Sequence, residues 1–219
     1  MIDFEHAREV MVDNQLRTVA VTDRRLLNVM GEVPRERFVP ESRKAIAYSD
    51  ASHPLEGAPD RFLATPGQFA KIAQLAHVGH EDVVLDIGCG TGYSTAVLAG
   101  LASAVVALED RPELVSRANE NLAALDIGNA AVVEGQMDAG VPSEAPFDVI
   151  IIEGLIDEVP KALFAQLRDQ GRLVAVLSEG LTASAHVFVR SGDEVAGRRE
   201  FNVLLPRLPA MQRQPAFEF

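Results

Sequence analysis

Three glycines at every second position, Gly88, Gly90 and Gly92, constrain this chain more than any other feature. Before them runs a short apolar, β-branched stretch, Val83-Val84-Leu85-Asp86-Ile87, with an acid near its end. After them comes a helix-periodic segment over residues 93–101, then Val105-Val106-Ala107-Leu108, which closes on Glu109 and Asp110. This order predicts a strand, a glycine turn, a helix and a second, parallel strand. Glycines at the turn let the backbone bend tightly and let a ligand sit against main-chain N–H groups at the helix start. Glu109 lies roughly 20 residues beyond the first glycine, at the tip of the second strand, where nucleotide-binding α/β folds use an acid for the two ribose hydroxyls.

The spacing alone also reads as a structural turn. A dinucleotide loop would be Gly-x-Gly-x-x-Gly; here the third glycine comes one residue early, and Asp86 stands two residues before the first. The string Leu85-Asp86-Ile87-Gly88-Cys89-Gly90-Thr91-Gly92 resembles the first motif of S-adenosylmethionine-dependent methyltransferases. S-adenosylmethionine has an aminocarboxypropyl arm, a sulfonium and an adenosine. An acid beside the loop can receive its ammonium, and turn amides its carboxylate. The expected cofactor-binding set is therefore Asp86, Gly88, Cys89, Gly90, Gly92, Tyr93, Glu109 and Asp110. Gln136, Met137 and Glu153, from the ends of later strands, complete it.

A formal net charge of −12 with no basic run argues against a nucleic-acid backbone or an anionic membrane as the standing partner. The first residues carry no basic head followed by an apolar core, so no signal peptide is expected. No apolar run approaches the ~20 residues of a membrane helix. The single cysteine, Cys89, excludes an internal disulfide and a thiolate cluster for zinc. His53, His77, His80 and His186 show no metal spacing with acids, so no metal is expected. The expectation is a cytoplasmic protein, monomeric or a small homo-oligomer.

Along the chain, residues 3–32 read as helical, with Asp23 placed to cap the second half. Residues 33–40 read as a rigid extended connector. Residues 51–66, with Pro54, Gly57, Pro59 and Pro66, have no period and read as a loop fit for a substrate lid. Helices are expected over 67–77, 112–125 and 159–167, and strands over 130–134, 147–152 and 171–177. The alternation predicts an α/β fold, a Rossmann-like doubly wound, mostly parallel sheet with ligand at the carboxyl ends of the strands. Residues 185–190 and 198–205 flank a turn and predict an antiparallel pair at the sheet edge, with an irregular tail to Phe219. The whole is expected to be a single domain, 1–219. Residues 1–80 form its N-terminal helical cap and substrate loop, 81–178 its cofactor-binding core, and 179–219 its C-terminal strand pair and tail.

Further motifs extend the resemblance. Val33-Pro34-Arg35-Glu36-Arg37-Phe38-Val39-Pro40, Ala47-Tyr48-Ser49-Asp50 and Phe147-Asp148-Val149-Ile150-Ile151 are similar to the protein-L-isoaspartate O-methyltransferase family, as is most of the chain. That resemblance implies a class I methyltransferase fold, S-adenosylmethionine as cofactor and isoaspartyl-containing peptides or proteins as substrate. It implies methyl transfer to the isoaspartyl α-carboxylate, after which the ester closes to a succinimide and repair proceeds. An ionised carboxylate is already a nucleophile and the sulfonium already activates its methyl, so catalysis rests on positioning.

Here the chain departs from the family. The family's Gly-Gln-Thr-Ile-Ser-x-Pro reads Asp60-Arg61-Phe62-Leu63-Ala64-Thr65-Pro66, with Ala64 at the serine position. Thr65 can supply a hydroxyl if the loop shifts by one residue, or it can merely cap the next helix. Arg61 can pair with a substrate carboxylate, or it can be a solvated charge. Asp50 matches the family's Ala-Tyr-x-Asp and either lines the substrate side or caps a turn. The family's Gly-Asp-Gly appears as Gly135-Gln136-Met137, whose amide can still hydrogen-bond adenine. The alternatives are a different acceptor on the same fold, or a cofactor-binding module without catalysis.

Overall fold

The computed structural model describes residues 2–212; the end of the expected irregular tail, residues 213–219, lies outside them. The first helix, α1 (Phe4–Met11), starts where the Asp3 side chain accepts the His6 amide. The expected helical stretch over 3–32 falls into two α-helices joined by irregular turns. Val12–Leu16 winds as a π-helix and Arg17–Val19 as a 3-10 turn, and Ala20 takes a left-handed conformation (φ 66°) that ends the run. Asp23 then caps α2 (Arg24–Glu32) by accepting from the amides of Arg25 and Leu26.

Residues 33–40 are not wholly extended: Arg35–Arg37 form a 3-10 turn, and Glu41–Ile46 another. The cause is Arg35, which is fully buried and donates from Nε to the Ala47 carbonyl at 2.8 Å. Its backbone N–H reaches the Tyr48 hydroxyl at 3.1 Å. Its guanidinium also holds the Ala64 carbonyl and lies 4.9 Å from the centre of the Tyr93 ring. A buried charge needs such partners, and the chain folds back to supply them.

The expected loop over 51–66 is instead largely a hairpin. β1 (His53–Leu55) pairs antiparallel with β2 (Ala58–Leu63) around Glu56-Gly57, with Gly57 at φ 77°. Pro54 and Pro59 obscure the strands in the sequence, but a two-stranded sheet leaves one edge of each strand free of ladder bonds, where proline is tolerated. Helix α3 (Pro66–Ala76) follows.

The main sheet begins with β3 (Val83–Ile87). From it α4 (Tyr93–Ala99) leads to β4 (Ala104–Glu109), and α5 (Pro112–Ala123) leads to β5 (Ala130–Glu134). The chain then returns to the other side of β3 as β6 (Phe147–Ile156) and continues through α6 (Lys161–Ala165) to β7 (Leu167–Glu179). β8 (Thr182–Ser191) and β9 (Glu194–Asn202) complete a seven-stranded sheet in the order β5-β4-β3-β6-β7-β8-β9. The first five of these are parallel, and β8 and β9 close one edge antiparallel. The chain therefore has the expected mostly parallel α/β sheet and C-terminal pair, with β9 starting before residue 198.

The order reverses between β3 and β6, and a crevice opens there at the strands' carboxyl ends. One face of the sheet (Val84, Val105, Val149, Val174) shares a single apolar core with Met11, Leu26, Met30, Phe69 and Tyr93, which ties the N-terminal helices to the sheet. The other face (Leu85, Ile87, Leu108, Ile150, Leu173) packs on Leu163 of α6 and on Leu208. α6 is shorter than the expected 159–167. β6 is longer than the expected strand because its irregular stretch after Ile151 is held by the chain end, the Leu155 amide donating to Pro206 O at 2.9 Å.

Candidate cofactor site

β3 and β4 pair in register, so Asp86 and Glu109 sit at adjacent strand ends. Both side chains are fully buried. Asp86 Oδ2 accepts from the hydroxyls of Ser94 (2.7 Å) and Thr95 (2.6 Å) in the first turn of α4, whereas Oδ1 has no hydrogen-bond partner. Burial pushes the Asp86 carboxyl up to about 6, against the two hydroxyls. From β6, Glu153 approaches the same place. Its Oε1 is buried without a partner, and burial followed by repulsion from Asp86 drives its carboxyl well up. Two acids held together in an apolar surround, each with an unpartnered oxygen, await a cationic or strongly donating group.

The glycine loop between them is tightly wound. Gly88, Gly90 and Gly92 all have positive φ, 81°, 57° and 91°. The Gly88 amide donates to Leu108 O at 2.8 Å and the Gly92 amide to Cys89 O at 2.9 Å. Cys89 is buried, and desolvation raises its thiol far above the ordinary value, so it stays protonated and inert. Tyr93 is buried with its ring edge-on to Phe38 and Phe69, and it lines the small cavity beside the loop.

At Glu109 the arrangement is different. Arg61, on β2 of the hairpin, is buried and forms a two-pronged pair with it, Nη1 to Oε1 at 2.7 Å and Nη2 to Oε2 at 2.8 Å. Nη2 also donates to Gly88 O at 3.1 Å, and Nη1 to Asp110 at 3.1 Å. Glu109 further accepts the amides of Gly90 (2.9 Å) and Asp110 (3.1 Å). Burial raises the Glu109 carboxyl, and the Arg61 charge opposes it. The hairpin also seals the loop, since a Cβ at Gly90 would lie 2.7 Å from Leu55 Cδ1. The space left among Leu55, Ala64, Gly88, Gly90, Ser94 and Glu153 is only about 20 Å³, about enough for one water.

Beyond Glu109 a cavity of about 480 Å³ opens at the ends of β4 and β5, lined by half-buried Asp110 with Gly135, Gln136 and Met137. Gln136 is exposed; Met137 is buried in the core of the second sheet face. On the hairpin's outer side a groove of about 540 Å³ runs past Arg37, Glu56, Gly57 and Thr91. Thr65 caps α3, its Oγ1 accepting the Gln68 amide at 3.3 Å, which leaves the hydroxyl hydrogen free to donate. Asp50 is exposed in the bend before the hairpin and lines neither the small cavity nor the one beside Asp110. The structure thus brings together Asp86, Glu153, the glycine loop, Glu109 and Arg61, and sets Gln136 and Asp50 apart. Ser94, Thr95, Leu55 and Leu208 were not among the residues singled out. A signal for the first two exists, because hydroxyls in the first turn after a glycine loop face the acid that ends the preceding strand.

Comparison with known proteins gives a consistent result. Residues 6–208 match the family model "Protein-L-isoaspartate(D-aspartate) O-methyltransferase (PCMT)". A protein-L-isoaspartate O-methyltransferase 1 of Syntrophobacter fumaroxidans is 39% identical over 89% of this chain and 89% of its own length. A protein-L-isoaspartate O-methyltransferase 2 of Anaeromyxobacter sp. is 37% identical over 95% of this chain and 84% of its own. A solved protein-L-isoaspartate O-methyltransferase superposes with a TM-score of 0.80 at 26% identity over 92% of this chain, which spans 65% of that structure's length. A Plasmodium falciparum structure described under the same enzyme name, in complex with S-adenosyl-L-homocysteine, gives 0.76 at 22% identity and supports the fold.

Proposed function

The chain belongs to the protein-L-isoaspartate(D-aspartate) O-methyltransferase family, and from that premise we propose that it binds S-adenosylmethionine and transfers its methyl group to the α-carboxylate of isoaspartyl residues in damaged proteins. The observation that carries the cofactor half is the pair of unpartnered, buried oxygens, Asp86 Oδ1 and Glu153 Oε1, beside a positive-φ glycine loop. Such a pair fits an ammonium next to a sulfonium. Glu109 would take the ribose hydroxyls, and Asp110, Gln136 and Met137 border the space for the adenine. The bound cofactor supplies a methyl group made electrophilic by a positive sulfur.

The protein's task is then to hold and to exclude. Asp86 and Glu153 fix the cationic end, and Leu208 packs against the glycine loop at Gly88 and keeps water away. The acceptor comes from the side of Ala64 and Thr65. Arg35 holds the Ala64 carbonyl in place, and the free hydroxyl hydrogen of Thr65 can donate to a carboxylate oxygen. An in-line approach needs the carboxylate fixed to within a few tenths of an ångström, so these donors set the rate.

Ala64 at the family's serine position and Glu153 in the cavity wall favour a second reading, in which the fold and cofactor are kept and the acceptor differs. A carboxylate wall disfavours an anionic acceptor by like-charge repulsion. Methyl transfer from labelled S-adenosylmethionine to an isoaspartyl peptide, with the aspartyl isomer as control, separates the two. Base-labile label on the isoaspartyl peptide alone supports the first reading; intact cofactor binding without label favours the second.

Among the described residues no helix is long and apolar enough to cross a membrane. The cytoplasmic placement and the monomeric or small homo-oligomeric state are part of this proposal, and fractionation and light scattering test them.

A further inference from the structure

Arg61 occupies the acid that the cofactor reading gives to the ribose. We infer that the β1–β2 hairpin is an internal occupant of the cofactor site, with Arg61 as its latch, and that cofactor binding requires the hairpin to leave. This rests on the cofactor reading above and goes beyond it.

Three independent observations support the inference. First, Glu109 is saturated: both oxygens are held by Arg61, and the amides of Gly90 and Asp110 take further acceptor positions. A ribose hydroxyl must therefore replace the guanidinium. Second, Leu55 of the same hairpin lies on Gly90 and leaves about 20 Å³ between the glycine loop and Glu153, which no nucleoside can enter. One element thus blocks both ends of the site.

Third, the hairpin is built to lift. It touches the large core of the sheet only at its C-terminal end, through the half-buried Leu63. Its buried residues Leu55 and Ala58 form a small separate cluster with Leu114 of α5. Its outer side is tied by one exposed pair, Arg117–Glu56 (3.7 Å), and by a two-pronged, partly exposed pair, Arg111–Asp60 (2.7 and 2.6 Å), and the exposed one contributes little in water. The Glu56-Gly57 turn borders the groove of about 540 Å³, which gives it space to move into. Asp110, already 3.1 Å from Arg61 Nη1 and half-buried, can keep the guanidinium paired as Glu109 is released.

In the closed state the apparent affinity for the cofactor is the intrinsic one scaled by the open fraction. Calorimetry with S-adenosylhomocysteine, which needs no methyl acceptor, compares the native protein with Arg61→Gln. Binding roughly tenfold or more tighter in the variant is expected. Binding by the variant, with none by the native protein, would be the extreme form of the same result. Equal or weaker binding by a folded variant overturns the latch, and binding by neither overturns the site.

The native protein provides a second readout that does not depend on the variant's folding. Saturation with S-adenosylhomocysteine should raise amide exchange over residues 53–63 and open the Arg61–Phe62 bond to trypsin, opposite to the protection a ligand usually confers. Unchanged or increased protection of the hairpin would sink the inference. Because no peptide takes part, failure to methylate an isoaspartyl acceptor leaves this test unaffected.

Discussion

The two ends of the candidate site contain the same chemical group and treat it in opposite ways. Asp86 and Glu109 are fully buried acids at the tips of neighbouring strands. Asp86 has two hydroxyls on one oxygen and nothing on the other; Glu109 has a guanidinium across both. One end is left incomplete, so a ligand there gains an interaction without losing one. The other end is satisfied by the protein itself, so a ligand there must exchange one ion pair for its own hydrogen bonds. Affinity from the first end and restraint from the second can be set independently, because different residues control them.

Glu109→Ala should have the largest effect. It removes the two-pronged partner of the buried Arg61 guanidinium and leaves it only Asp110 and the Gly88 carbonyl, so unfolding in urea should show a loss of about 3 kcal/mol. A loss below about 1 kcal/mol would erase the distinction between the ends. Asp86→Asn should act the other way round. The amide oxygen still accepts from Ser94 and Thr95, so stability should hold, while affinity for S-adenosylhomocysteine falls about 10- to 100-fold with the lost charge. If stability drops as far as in Glu109→Ala, Asp86 is a structural acid too.

The same contrast has a pH form. Burial raises Asp86 to about 6, above its unfolded value near 4. Protonation therefore favours the folded state, and this contribution is fully present below about pH 4 and lost as pH rises through about 6. Ligand binding runs oppositely, since a cationic group needs the ionised acid. Affinity should fall by at most about tenfold per pH unit from this acid as pH drops below about 6. Titration calorimetry across that range checks it; a flat profile would assign the ammonium elsewhere. The smallest effect belongs to Thr65→Val. Loss of the cap on α3 should cost about 1 kcal/mol, and loss of the hydroxyl should lower kcat/KM about tenfold on whichever acceptor is found. A lowered midpoint with full activity would leave Thr65 as a cap alone.

The parallel sheet was legible because its strands are unbroken apolar runs ending in acids, and a strand buried on both faces has no other way to look. The coming together of Asp86, Glu109 and Glu153 follows from that topology. The hairpin was not legible, because Pro54, Pro59 and Gly57 carry the marks of a loop and two edge strands tolerate them. The Arg61–Glu109 pair was not legible either. It joins residues 48 apart, and a single ion pair leaves no periodic trace. The π-helical turn at Val12–Leu16 shows the same limit, since apolar spacing marks which face is buried but not how the backbone winds.

Leu208 lies against the glycine loop, 3.2 Å from where a Cβ would stand at Gly88, and 2.8 Å from the corresponding point at Gly154. Its amide is tied to Leu155 O at 3.0 Å. During synthesis β3 and its glycine turn emerge more than a hundred residues before this leucine. Until then the Gly88 side of the crevice stays open to water, and the apolar ends of β3 and β6 remain uncovered. Contacts between residues so distant in sequence form late. The half-made chain thus carries an unfinished pocket with exposed apolar walls, the kind of surface that chaperones bind.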